Sequence, residues 1–525
     1  ITDGGKNGHY TEARAYNTQT YGDVMVNINK TFGDDWSLNA NIGASINNIK
    51  TDELSYRGPI QENGLPNVFN VFDLDDTKKR AEKTGWHDQT QSLFASVEVG
   101  WRQMLYLTVT GRNDWASQLA NSPSSSFFYP SVGLSWVPTS TWDLGEALSY
   151  LKIRGSIASV GMPFPRHLTI PTYEYDATNR VWKDKTHYPI GDLKPERTTT
   201  YEVGLDARLW QRISLSASWY QADTKNQTFD PSLPPSSSYT TIYLQTGHVR
   251  NTGVELSAGY DNQWRDFRWA TDFTYSWNRN EIIELAANAV NPVTGEPLNL
   301  NKLDIKGLGK AKYILKEGGT LGDLYTTSDL RFNDNGYIEV DKNGNLLLTD
   351  EGDDIYLGSV FPDHNLAWRN DFSWKGINLG VLFTARIGGI CYSATQANMD
   401  LYGVSEASAA ARDAGGVWIN GRELVDAQKW YQAIGSQSGL PQYYTYSATN
   451  IRLQELSLGY TLPAKWFRDK MRMTVSFVGR NLWMIYCKAP FDPEAVASTG
   501  LNYQGIDYFM MPSLRSLGFN VKFQF

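Results

Sequence analysis

The stretch that most constrains this chain is Trp36 to Asn47. Trp36, Leu38, Ala40, Ile42, Ala44 and Ile46 alternate without a miss against Ser37, Asn39, Asn41, Gly43, Ser45 and Asn47. Successive strand side chains point to opposite sides, so such a strand has one apolar face and one polar or small face. The last stretch, Leu514 to Phe525, does the same. Leu517, Phe519, Val521, Phe523 and Phe525 share one side, and Gly518, Asn520, Lys522 and Gln524 the other. A soluble sandwich could contain one half-buried strand of this kind, but here the pattern recurs along 525 residues.

About fifteen stretches carry the alternation, and their connections are of two kinds. Gly33-Asp34-Asp35, Arg102-Gln103, Gln211-Arg212 and Lys375-Gly376 mark short turns. Long connections are expected at 48–86, 113–128, 161–197, 226–248, 281–364, 389–446 and 484–511. The two kinds take turns strictly. Outer-membrane barrels have short turns at one rim and long extracellular loops at the other, whereas a soluble all-β protein has no reason to put its long loops on one side. Between Leu453 and Leu456 the alternation shifts by one residue, which predicts a bulge. No run of 18 apolar residues exists to form a transmembrane helix; barrel strands average out as hydrophilic.

The aromatic residues point the same way. The chain has 18 Trp and 30 Tyr, and amphipathic rings suit a water–lipid boundary. Trp36, Trp101, Trp136, Trp210, Trp269, Trp374 and Trp466 fall at or beside short turns, as an inner girdle would. Trp115, Trp219, Trp277 and Trp483 sit near the opposite strand ends. The expected fold class is therefore all-β, a transmembrane antiparallel β-barrel in the bacterial outer membrane. Leu107, Leu205 and Ile42 are expected to touch hydrocarbon, and Thr108 to face the lumen. Fifteen is odd, and bacterial single-chain barrels have even strand numbers. Residues 1–525 are thus expected to be the C-terminal part of a larger barrel, with an N-terminal part missing.

Chemistry is sparse. A formal net charge of −8 argues against nucleic acid, which demands basic clusters. His9, His87, His167, His187, His248 and His364 are scattered without metal-ligand spacing. No nucleophile elbow or phosphate loop stands out, so neither an enzyme nor a cofactor is expected. The segment Asp350-Glu351-Gly352-Asp353-Asp354 offers hard oxygen ligands for Ca²⁺, but Gly352 stands where the closing Glu of an EF-hand beginning at Asp341 would be, and a solvated loop is the plainer reading. Cys391 and Cys487 both follow strands that end on the long-loop side, where the compartment permits a disulfide. Asp114 with Trp115, and the loop aromatics Tyr402, Trp418, Trp430, Tyr443 and Tyr444, are candidates for stacking on sugar rings. The alternative is that they pack the loops together or contact a partner.

A set of short motifs then resembles a known family. Gly111-Arg112-Asn113-Asp114-Trp115, Leu193-Lys194-Pro195-Glu196-Arg197-Thr198 and Asn251-Thr252-Gly253-Val254-Glu255-Leu256 are similar to segments of the SusC/RagA class of TonB-dependent outer-membrane transporters. So are Tyr356-Leu357-Gly358 with Pro362-Asp363, Ile451-Arg452-Leu453-Gln454, Leu458-Gly459-Tyr460-Thr461-Leu462-Pro463, Gly479-Arg480-Asn481-Leu482 and Phe491-Asp492-Pro493-Glu494. Each is weak alone, but in order they cover most of the chain. The resemblance implies a 22-stranded barrel, an N-terminal plug with a TonB-engaging segment, and a SusD-like surface lipoprotein acting as a lid. It also implies import of oligosaccharides, or in some members oligopeptides. The plug and the TonB-engaging segment are not visible in these residues. The rivals are a passive porin-like channel, an outer-membrane enzyme and an adhesin. An enzyme would need a nucleophile and base clustered at the rim, and an adhesin would carry a passenger or repeats.

Overall fold

The computed structural model describes residues 7–64, 68–169, 173–176, 180–184, 187–188, 193–229, 241–285, 301–349, 353–498, 500 and 503–525. Fifteen strands form one antiparallel sheet, each paired with the next in chain order. They are β1 (His9–Phe32), β2 (Trp36–Pro59), β3 (Arg80–Trp101), β4 (Leu105–Ala116), β5 (Phe127–Trp136), β6 (Leu148–Met162), β7 (Glu196–Leu209), β8 (Ile213–Phe229), β9 (Leu244–Trp264), β10 (Phe267–Glu284), β11 (His364–Trp374), β12 (Ile377–Ile387), β13 (Asn450–Thr461), β14 (Arg472–Cys487) and β15 (Ser516–Gln524). Tight turns join β1 to β2, β3 to β4, β7 to β8, β9 to β10 and β11 to β12, while the connections 117–126 and 137–147 on either side of β5 are of similar length. In the short turns Arg102 and Gln103, Trp210 and Gln211, and Lys375 and Gly376 all adopt positive φ, the handedness that matches the twist of tight hairpins.

Two compact units divide the chain. In the first (Ile1–Leu134, Ser156–Thr199, Lys225–Gln245), β1 to β4 pair in an unbroken register. Cross-strand rows therefore share a face. Phe32, Trp36, Trp101 and Leu105 make one row at the turn end, with the Trp36 and Trp101 rings 6.4 Å apart. Above it on the same face come Lys30–Leu38–Val99–Leu107, Ile28–Ala40–Val97–Val109, Val26–Ile42–Ala95–Gly111, Val24–Ala44–Leu93–Asn113 and Gly22–Ile46–Gln91–Trp115. Many of these apolar side chains are solvent-exposed, Val24 at 75%, Val26 at 58% and Ile42 at 56%, while Ala40 is covered by its larger neighbours. The opposite face carries Asn27, Asn41, Ser96 and Thr110.

The strands outrun the apolar alternation. A loop is expected from 48 to 86, yet β2 continues to Pro59 and β3 begins at Arg80, paired throughout. Apolar residues in this extension are few and change sides, Ile49 on one face and Leu54 and Tyr56 on the other, so hydropathy marks no strand while the backbone ladder persists. Beyond β4, Leu119, Phe164, Leu168 and Leu193 form a small core with Ala116, drawn from two long connections.

The second unit (Ser135–Gly155, Thr200–Thr224, Thr246–Phe525) holds the bulge. Phe383 pairs with Leu453 and Leu382 with Glu455, leaving Gln454 extra. Leu453 and Leu456 thus share a face, and Glu455 takes the other. On the apolar face Thr271 lies opposite Asn370. Trp368 Nε1 donates to Thr271 Oγ1 at 2.9 Å, and Trp269 Nε1 to Asn370 Oδ1 at 3.1 Å, so two indoles cover the polar pair. Two of the long connections carry secondary structure of their own among the described residues. Residues 281–364 carry a four-stranded sheet (Lys302–Leu308, Ala311–Lys316, Asp323–Thr326, Ile355–Ser359). Residues 389–446 carry α1 (Ala394–Leu401), α2 (Glu406–Asp413) and α3 (Ala427–Ile434). Their N-caps are Ser393, Ser405 and Asp426, whose side-chain oxygens accept from Gln396, Ser408, and Gln428 and Lys429 backbone N–H groups.

Candidate functional site

Some of the family-like motifs lie where strands hand over to long connections. In the first unit Arg112 Nε donates to Asp114 Oδ1 at 2.7 Å and its Nη2 to Ser92 Oγ at 2.8 Å, while the Tyr129 hydroxyl donates to Asp114 Oδ2. Arg197 Nε donates to Ser159 Oγ at 2.7 Å. In the second unit Arg452 is clasped by the acidic motif: its Nη2 lies 3.0 Å from Asp492 Oδ1 and 3.2 Å from Glu494 Oε1, and its Nε donates to Asn450 Oδ1 at 3.1 Å. Both Arg452 and Asp492 are buried. Burial alone would raise the Asp492 carboxyl, but hydrogen bonds from Arg452 and Ser513 outweigh it and hold it below the usual range. Asn481 donates to Ser513 Oγ at 3.1 Å, tying the same connection back to β14.

The polar face of the second unit is a wall of paired charges. Asp272, Arg369, Leu382, Glu455 and Arg480 occupy one cross-strand row. Arg369 holds Asp371 at 2.7 Å and Glu455 at 3.7 Å, and Arg480 Nε donates to Glu455 at 3.0 Å. Nearer the short turns a cavity of about 630 Å³ opens beside Arg268, which grips Asp261 through two nitrogens. Gly259 and Gly380 line it; a Cβ at either would press on Ser214 and Asp272, or on Ser457 and Asp371.

The structure separates the sequence-derived candidates. Asp114 is buried and committed to Arg112 and Tyr129. Trp115 points to the opposite, apolar face, in the row of Gly22, Ile46 and Gln91. Tyr444 is buried in the second unit, its hydroxyl pushed up by burial and by Asp400. Trp430 and Tyr443 come together, ring centroids 6.0 Å apart and edge to face. Tyr402 at the end of α1 and Trp418 in the small hairpin Val417–Ile419/Glu423–Val425 are open, at 76% and 65% exposure. The clasp around Arg452 escaped sequence reasoning, although Ile451-Arg452 and Asp492-Pro493-Glu494 were both visible as motifs.

His248 Nε2 lies 2.5 Å from Asp223 Oδ1, and His364 Nδ1 lies 2.9 Å from the Tyr275 hydroxyl. The side chain of His187 lies outside the described residues, as do Asp350, Glu351 and Gly352. Asp354 is bracketed by Lys316 and Lys302 at 2.9 and 3.0 Å; burial would raise its carboxyl, but these ammonium groups hold it low. Cys391 and Cys487 are free thiols in one apolar cluster with Ala448 and Ala489.

Residues 2–381 match the family model described as TonB dependent receptor-like, beta-barrel. The chain belongs to that family. The sheet is accordingly the wall of an outer-membrane barrel, with its exposed apolar rows toward lipid. Among curated relatives, TonB-dependent receptor P3 of Formosa agariphila is 24% identical over 577 residues, covering 100% of this chain and 54% of its own length. TonB-dependent receptor SusC of Bacteroides thetaiotaomicron is 22% identical over 406 residues, covering 71% of this chain and 38% of its own. The RagAB peptide importer in its closed-closed state superposes with a TM-score of 0.71 at 19% identity, over 98% of this chain and 56% of that one. The chain spans about half the length of the first curated relative.

Proposed function

We propose that this barrel portion serves a TonB-dependent importer of a nutrient oligomer, a glycan in the first instance, across the outer membrane. The observation that carries the reading is the pairing of a charge-laced polar wall with folded long connections that leave Tyr402 and Trp418 open. Flat aromatic faces rimmed by polar groups suit sugar rings. The paired charges of the wall bring no strong field of one sign, which favours a neutral cargo. Binding and gating do the work, without covalent chemistry. The plug, the TonB-engaging segment and a SusD-like lipoprotein lid belong to the whole protein and its partner.

The test is calorimetric titration of the whole protein with its co-purifying lipoprotein against neutral oligosaccharides and against oligopeptides. Trp418→Ala with Tyr402→Ala is expected to weaken glycan binding about tenfold, as loss of one stacked aromatic platform would. Binding of peptides alone, unmoved by these substitutions, would replace the glycan reading with an oligopeptide importer. Ion conductance by the whole protein with no bound cargo would favour a passive channel.

A further inference from the structure

We propose that the outward face of β1 to β3 holds one acylated, phosphate-bearing lipid of the outer leaflet. The first observation is a groove in the apolar face, about 750 Å³, lined chiefly by Val24, Ala44, Ile46, Leu93 and Trp115 around Gly22. It exists because Gly22 and Ala44 leave the floor open. A Cβ at Gly22 would meet only Ile46 Cγ2, at 3.8 Å. Val24, Leu93 and Trp115 stand up as walls, 75%, 55% and 40% exposed.

The second observation is independent and lies directly above on the same face. The next row is Thr20–Asn48–Gln89, and the row beyond it is Thr18–Lys50–His87. Two rows of a tilted strand rise about 10 Å, the distance from an acyl chain to a headgroup phosphate. Lys50 is 59% exposed and pairs with Asp52 at 3.1 Å, also exposed. An exposed pair of this kind holds its partners weakly, so the ammonium is free to turn to an anion. His87 is exposed and offers an N–H in either tautomer. An apolar slot under a cation and a row of amide and hydroxyl donors fits a molecule that is apolar below and anionic above. A free anion would leave the slot empty, and a lipid without phosphate would leave the cation unmatched. This placement uses the membrane position of the sheet and does not depend on the cargo.

The test is native mass spectrometry of the whole protein, delipidated in mild detergent and reloaded with monophosphoryl lipid A, its dephosphorylated form, or inorganic phosphate. One adduct of the phosphorylated lipid is expected. Affinity should fall about fivefold with the dephosphorylated lipid, and at least as far in Lys50→Glu/His87→Glu, a cost of roughly one charge contact at a membrane surface. Ala44→Trp, which fills the slot, should abolish the adduct. Lys50 and His87 lie beyond the apolar rows, so the charge variant keeps its fold and decides the matter even if Ala44→Trp does not insert. Equal binding of both lipids would reduce the site to ordinary apolar contact, an unchanged adduct in both variants would put it elsewhere, and equally tight inorganic phosphate would make it an ion site. Each of these results overturns the proposal.

Discussion

An arginine placed on the apolar face should report membrane depth row by row, and Ile42 is the place to put it. From Phe32 to Gly22 the outward rows span ten residue steps, about 33 Å of strand at 3.3 Å per residue, or about 25 Å of membrane once the usual barrel tilt is applied. Ile42 shares its row with Val26, at the middle of that band; Leu107 shares the Lys30 row, one above the girdle. The chain already tolerates a cation there, because Lys30 Nζ reaches back to within 5.1 Å of the Phe32 ring centroid. Ile42→Arg should therefore cost about 2–4 kcal/mol, and Leu107→Arg only about 0–1 kcal/mol. Asn41→Arg, on the polar face, should cost little. The assay is urea unfolding of protein folded into lipid vesicles, followed by tryptophan fluorescence. Equal losses for Ile42→Arg and Leu107→Arg would refute the depth assignment, and a large loss for Asn41→Arg would refute the facing.

Three further outcomes are expected. Trp269→Phe should lower the urea midpoint by the equivalent of about 1–3 kcal/mol, because Asn370 Oδ1 loses its donor in an apolar setting, and Asn370→Leu should relieve most of that loss in the double variant. The hydrogen bonds from Arg452 and Ser513 hold the folded Asp492 carboxyl below the ordinary aspartate value of 3.8. The stability it contributes is therefore present above about pH 4 and lost only as pH falls through the lower folded value. Amide exchange across residues 484–498 should stay slow down to that pH and quicken below it, and Asp492→Asn should abolish this step. Burial pushes the Cys391 thiol up to about 12 from 9.0, so its thiolate fraction near neutral pH falls roughly a thousandfold; alkylation of the folded protein should label Cys487 first, and equal rates would contradict the burial.

Much of the wall was legible because lipid on one side and water on the other force a strict two-residue period. Trp36 to Ile46 displays it, as does the strand ending in Phe525. The reading fades where that contrast ends. Asn47 to Pro59 pairs as regularly as the residues before it, but it lies beyond the apolar rows and its few apolar residues, Ile49, Leu54 and Tyr56, no longer keep to one face. The helices within 389–446 are short, and their signals are local: Ser393, Ser405 and Asp426 as caps, Gly415-Gly416 as a stop. These are visible in hindsight and weak beside a period that runs through the whole chain. The candidate site was the least legible part. Aromatic character alone could not tell that Trp115 turns away from Asp114 or that Tyr444 is buried. Arg452 and Asp492 stand forty residues apart, and nothing in either motif announces the other.

The extra residue at Gln454 sets a rule of phase for this wall. A strand between lipid and water is read in twos, and a single inserted residue is a frameshift. Here the slip is absorbed on the spot, so that Leu453 and Leu456 stay in frame with Phe383 and Val381. Deleting Gln454 would remove the bulge and leave Leu453, Glu455 and Leu456 in plain alternation, whereas deleting a single residue away from the bulge would turn polar side chains such as Ser457 toward lipid. Long connections can grow or shrink by any number of residues, whereas a membrane strand can change length safely only by even steps, or by odd steps with a bulge to restore the frame.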